Sequence, residues 1–168
     1  MVDTVCVLEV KNVTKKFPGG IIANDRINFS LFKGEIHALL GENGAGKTTL
    51  VNIIYGVQRP DDGEIYVWGK KVSIKSPKDA IRLGIGMVHQ HFTLISKHTV
   101  LENIALSVNS SKVFIKSDFL EKRIRELSAE YGLNVDLNRK IWQLSMGERQ
   151  KVEIIKTLLR GANILIFD

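Results

Sequence analysis

The chain has 168 residues, 44% of them hydrophobic, enough to pack a core within one soluble domain. Lys and Arg number 24 against 18 Asp and Glu, and the net charge of +6 suits nucleotide phosphates, nucleic acid or an anionic membrane face. No apolar run approaches the roughly 18 residues of a membrane span. The start, Met1-Val2-Asp3-Thr4, has no basic signal-peptide region, and the single Cys6 rules out an internal disulfide. The basic residues are scattered, with Lys15-Lys16, Lys70-Lys71 and Lys122-Arg123 as the tightest pairs. No arginine stripe is interleaved with aromatics, so nucleic acid is not expected as a partner.

Cys6 to Val13 alternates apolar and polar through Val7, Leu8, Val10 and Val13, which predicts an edge strand. Phe17-Pro18-Gly19-Gly20 is a turn, and Ile27 to Phe32 alternates as a second strand. Phe17 has two readings. A flat ring beside glycines can stack on adenine, which is worth roughly 1–3 kcal/mol by analogy with base stacking, or it is a core residue at a strand end. Lys33-Gly34-Glu35 then turns the chain into Ile36–Leu40, an apolar run that predicts a short buried strand.

Gly41-Glu42-Asn43-Gly44-Ala45-Gly46-Lys47-Thr48-Thr49 fits G-x-x-x-x-G-K-[ST], and Leu50–Tyr55 carries apolar positions suited to a helix. Strand, glycine loop and helix form the setting in which this pattern binds phosphate. The glycines let several backbone N–H groups point into one concavity, and the helix beginning near Lys47 adds its positive dipole end. Lys47 can reach the β/γ phosphates as a point charge, and the Thr48 hydroxyl can hold Mg²⁺.

Arg59 to Glu64 is a turn, and Ile65 to Val72 predicts a short hairpin. Ser76 as N-cap with Pro77 at the first helical position opens a helix that Gly84 ends. Ile85–Val88, apolar throughout, predicts a buried parallel strand. His89-Gln90-His91-Phe92 leaves it at the end where ligands gather in open α/β sheets. The two histidines point apart on extended backbone and lack a third ligand at metal-site spacing, so they are not expected to bind metal.

Thr99–Glu102 has the form of a capping box opening a helix through Leu106, and Val108 to Val113 predicts a loop. A longer helix starts at Ser117, runs through Glu130 and is closed by Gly132. Leu144-Ser145-Met146-Gly147-Glu148 leads into another helix with apolar positions at 152, 155, 158 and 159. Ser145 and Gly147 at its start offer an anion site, although as isolated features they fit a plain N-cap better. Gly161 caps that helix. Asn163 to Phe167 is then a mostly apolar strand ending on Asp168, an arrangement that can hold Mg²⁺ through its acid.

Together these elements resemble the ATP-binding-cassette family of transporter ATPases. Gly41–Thr49 matches the Walker A loop, Gln90 the Q-loop glutamine, Leu144–Glu148 the signature and Ile164–Asp168 the Walker B strand. The wording of Lys33–Lys47 and of Met87–Leu94 is similar to ATPases of simple-sugar and nucleoside importers, and so is a signature ending in Glu148 where Gln is commoner. The resemblance implies an α/β fold: a RecA-like P-loop NTPase core with an antiparallel β subdomain and a helical subdomain at about residues 96–144. One nucleotide-binding domain would then occupy 1–168, incomplete at its C-terminus.

The resemblance also assigns roles. Phe17 stacks on adenine, while Gly41, Glu42, Asn43, Gly44, Ala45, Gly46, Lys47, Thr48 and Thr49 surround the phosphates of ATP. Thr48, Gln90 and Asp168 reach Mg²⁺, and Lys47, Gln90 and Asp168 are the catalytic set. Ser145, Gly147 and Glu148 face an ATP bound by a second cassette in a head-to-tail dimer. The region from Gln90 to about Asn109 touches transmembrane permease subunits, which indirectly serve a solute-binding protein. The location implied is cytoplasmic, on the inner face of the cell membrane.

The family places a catalytic Glu after the Walker B Asp, and the sequence given ends at Asp168. The expectation is a chain that binds Mg-ATP and hydrolyses it negligibly. A nucleotide-binding or interaction module without turnover, or a soluble cassette ATPase outside transport, are the alternatives. The strand the family sets between the Walker A and Walker B strands is also absent. Ile36–Leu40 and Ile164–Phe167 are then left unbridged, or pair directly, or receive a strand from another chain, and unpaired edges favour association.

Overall fold

A computed structural model describes residues 5–89, 93–108 and 117–168. It divides the chain into two compact units, 1–85 and 86–168. Gln90, His91, Phe92 and the loop expected after Val108 lie outside the described residues.

The first unit is built on a four-stranded antiparallel sheet. Its strands are β1 (Cys6–Phe17), β2 (Ile21–Phe32), β3 (Asp62–Val67) and β4 (Lys70–Val72), in the order β2-β1-β3-β4. β1 is therefore central, not the edge strand its alternation suggested. It pairs Val10 with Phe29 of β2 on one side and with Ile65 of β3 on the other. Alternation reports which face of a strand is buried and says nothing about how many of its edges are paired. β2 starts six residues before the predicted Ile27, because Phe17 pairs with Ile21 directly across the glycine turn. The β3–β4 hairpin forms as expected, turning through Trp68 and Gly69, both at positive φ.

Helix α1 (Lys47–Tyr55) follows the glycine loop and buries Leu50, Val51, Ile53, Ile54 and Tyr55. Helix α2 (Pro77–Arg82) begins with Ser76 and Pro77 as predicted. The Ser76 hydroxyl donates to Asp79 Oδ2 at 2.9 Å and makes no bond to the helix backbone. Ile36–Leu40 is not a strand, which corrects the sequence expectation; Ile36 and Leu40 are fully or almost fully exposed. A strand holds its form through hydrogen bonds to a neighbour, and among the described residues none pairs with this run.

In the second unit β5 (Ile85–Val88) and β6 (Ile164–Phe167) form a two-stranded sheet. Gly86 is required there by space, because an added Cβ would lie 2.2 Å from Thr157 Cγ2 and 2.8 Å from Ala162 Cβ. Helices α3 (Val100–Val108), α4 (Ser117–Tyr131) and α5 (Met146–Leu159) bury a shared core that includes Val100, Ile104, Leu120, Ile124, Val152 and Ile155. Their apolar residues recur at helical spacing, so one stripe of each helix enters this core. The box at the head of α3 is reciprocal: Thr99 N donates to Glu102 Oε2 at 2.7 Å, and Glu102 N to Thr99 Oγ1 at 3.2 Å.

Candidate functional site

The loop Gly41–Ala45 is exposed and leads through Gly46 into α1. Gly46 has φ 84°, and a Cβ there would sit 2.1 Å from the Ala23 carbonyl oxygen. Only glycine can take this left-handed turn so close to β2. The Asn24 amide, buried in β2, donates to the Gly46 carbonyl at 3.2 Å and ties the loop's exit to the sheet. Asn24 was missed in the sequence. Its signal is a polar residue in a strand that turns out to bury it, which no local pattern reveals.

Lys47 curls over the loop and donates to the carbonyls of Gly41 at 2.7 Å and Glu42 at 2.8 Å. The ammonium therefore stands over the loop at the positive end of α1, where an incoming phosphate can exchange for two neutral carbonyls. Thr48 is exposed in the first turn of α1, and Thr49 is half-buried. A hydroxyl at Thr48 and a carboxylate at Asp168, which ends β6, are oxygen donors of the hard kind that Mg²⁺ takes. Asp168 is exposed, and its backbone N–H donates to Val88 O at 3.1 Å.

Phe17 closes β1 half-buried, with the Lys15 ammonium 5.8 Å from its ring centroid. Lys15 is itself held by Asp61 at 3.1 Å. The Asp61 carboxyl is lowered below the usual aspartate range, chiefly because it accepts the Lys16 N–H at 2.6 Å and also pairs with Lys15.

At the signature, Ser145 is the N-cap of α5, as the plainer reading of the sequence expects. Its N–H donates to Glu148 Oε2 at 2.7 Å, and Glu148 N donates to Ser145 Oγ at 3.3 Å. Capping does not exhaust the serine, whose hydroxyl proton remains a donor. Gly147 is exposed with open space where a side chain would be. The Glu148 carboxyl is lowered below the glutamate range, first by the Ser145 backbone bond, then by the Ser145 side chain and by Arg139. Arg139, also missed in the sequence, places Nη1 2.7 Å from Glu148 Oε1. It offsets the negative charge that Glu148 adds at a helix start suited to anions.

Residues 24–168 match the family described as ABC transporter. The chain is 53% identical over 163 residues to the nucleoside import ATP-binding protein NupA of Lactococcus lactis, covering 96% of this chain and 32% of that protein. It is 52% identical over 163 residues to the guanosine import ATP-binding protein NupO of Bacillus subtilis, with the same shares covered. The chain thus spans about a third of the length of these curated relatives. Among solved structures, cbiO1 from Clostridium perfringens, part of the ABC transporter complex cbiONQ, superposes with a TM-score of 0.82 at 27% identity, covering 98% of this chain and 65% of that one. A dimeric post-hydrolysis state of the ATP-binding cassette MJ0796, bound to ADP and Pi, gives 0.76 at 31% identity over 96% of this chain and 73% of that one.

Proposed function

The chain belongs to the ABC transporter family, and on that premise we propose that it is the ATP-binding portion of an importer subunit for a nucleoside- or sugar-like solute. The observation that carries this reading is the exposed glycine loop with the Lys47 ammonium folded onto the Gly41 and Glu42 carbonyls at the head of α1. Loop N–H groups and the helix end bind the phosphate tail, and Lys47 moves from the carbonyls to the β/γ phosphates. Phe17 offers its ring to adenine. Thr48, Gln90 and Asp168 would be the residues to hold Mg²⁺, and the metal would neutralise charge on the phosphates.

Ser145 and Gly147 serve the ATP of a second cassette, in keeping with the dimeric cassette to which this chain is similar. Transmembrane permease subunits and, through them, a solute-binding protein complete the assembly on the inner face of the membrane. The helical subdomain of about residues 96–144 belongs to the same nucleotide-binding domain as the glycine loop. Among the described residues no helix is long and apolar enough to cross a membrane.

Calorimetric titration with Mg-ATP tests the reading. The parent chain binds, and Lys47→Ala loses one to two charge-assisted hydrogen bonds, at about 1.5–3 kcal/mol each. The Kd therefore rises at least about tenfold. Equal heats in parent and variant, or no heat from a folded parent, would defeat the proposal.

A further inference from the structure

Asn24 sits within β2 with its side chain at least nine-tenths buried. Its Nδ2 donates to the Gly46 carbonyl at 3.2 Å, while Oδ1 is buried with no partner among the described residues. For stability alone asparagine is a poor choice here, because a bare buried acceptor offsets what the one bond contributes. The group it grips explains more. The Gly46 carbonyl also accepts the Leu50 N–H at 2.9 Å, the first backbone bond of α1. Both lone pairs of that oxygen are therefore engaged, one from the helix and one from the sheet. Among the described residues, the other hydrogen bonds made by 41–46 are local: Ala45 N to Glu42 O at 3.2 Å, and the Lys47 ammonium to Gly41 and Glu42. The run that enters the loop, Ile36–Leu40, pairs with no strand among the described residues. The Asn24 bond is thus the tie between this loop and the sheet.

We infer that Asn24 is a positioning residue: by fixing the Gly46 carbonyl it aims the Lys47 backbone N–H at the phosphate tail. A trans peptide is planar, and its C=O and N–H point in opposite directions. Holding the Gly46 carbonyl towards Asn24 and Leu50 turns the Lys47 N–H away from both, out through the head of α1. That N–H is among the first four of the helix, which have no acceptor within it and are the groups that take an anion. The approach of β2 is close enough that a Cβ at Gly46 would meet Ala23 O at 2.1 Å and Asn24 Nδ2 at 2.8 Å. The same two residues of β2 therefore wall in one side of Gly46. This role rests on the reading of the loop as a nucleotide-phosphate site.

The test compares the 168-residue chain with Asn24→Leu, which keeps the branched shape and removes both the donor and the bare acceptor. Gly46 O retains its bond from Leu50, so no group is newly orphaned. Affinities for Mg-ATP and Mg-ADP fall about tenfold in the variant, the equivalent of one net hydrogen bond. The urea midpoint stays level or rises, because the bare acceptor is gone. In amide NMR spectra of each chain saturated with Mg-ADP, the Lys47 amide proton moves downfield from its nucleotide-free position in the parent and clearly less far in Asn24→Leu. This shift decides the matter, since a residue that only stabilised the fold would not single out the Lys47 amide. Equal affinities in parent and variant, or a Lys47 amide that moves as far in both, overturn the role. Where Asn24→Leu does not fold, Asn24→Ala removes the bond without filling the space and carries the affinity and amide measurements. If neither variant folds, Asn24 serves the fold and the proposal is overturned. A folded parent that binds neither nucleotide defeats the cassette reading and the role together, whereas a parent and an Asn24→Leu chain that bind equally well defeat the role alone.

Discussion

Glu148 and Glu102 are two of the carboxylates that make the stability of this chain sensitive to acid. Each accepts the N–H of the residue that caps its own helix, Ser145 for Glu148 and Thr99 for Glu102. Each is held below the usual glutamate range, with that backbone bond as the first cause. A folded-state value below the unfolded one means that the stabilisation is present in full above the unfolded value, about 4.3 for glutamate. It fades as pH falls through that value towards the folded one. Urea midpoints measured from pH 7 down to pH 3 are therefore expected to drop below about pH 4.5. In Glu102→Gln/Glu148→Gln, which keeps the box geometry without the titration, the drop becomes shallower. A pH profile identical to the parent's would show that these carboxylates contribute nothing to acid sensitivity.

At the scale of elements, the packing of α5 against β5 turns on one missing methyl group. A Cβ at Gly86 would overlap Thr157 Cγ2 at 2.2 Å, while the Thr157 hydroxyl is committed to the Glu153 carbonyl at 2.8 Å. Gly86→Ala should destabilise the chain by about 1–3 kcal/mol, the usual penalty for overpacking. Adding Thr157→Ser removes the clashing methyl, keeps the hydroxyl bond and should recover part of the loss. Ala162 Cβ at 2.8 Å keeps the recovery incomplete. Additive losses in the double variant, measured by denaturant unfolding, would show that the two positions are not in contact. The start of α5 has a different character. Ser145 and Glu148 close a local capping box, so the signature's backbone is set by residues three apart, and the Arg139 ion pair is added from outside the helix.

For the molecule as a whole, the exposed run Ile36–Leu40 is the chief liability. Ile36 and Leu40 present apolar side chains to solvent on backbone that no strand pairs among the described residues, a combination that favours association with another chain. Light scattering of the isolated chain should show apparent mass rising over roughly the micromolar-to-millimolar range. Ile36→Lys/Leu40→Lys should lower that rise. A parent that stays monodisperse at the upper concentration would refute the expectation.

Much of this protein could be read from short stretches of sequence, because the interactions concerned are themselves short-range. The glycine loop with Lys47 needs only seven consecutive positions, Gly41–Lys47, and its lysine bonds reach back five and six residues. The capping boxes at Thr99 and Ser145 each join residues three positions apart. Their side chains and backbone meet whatever the rest of the chain does. Tertiary structure alone decided that β1 lies at the centre of its sheet, that Asn24 ties the loop to β2, and that Ile36–Leu40 does not form a strand. It also decided that Glu153 holds Thr93 across 60 residues. Each of these depends on which distant segment lies alongside, and strand pairing and buried polar contacts leave no periodic trace in the residues on either side.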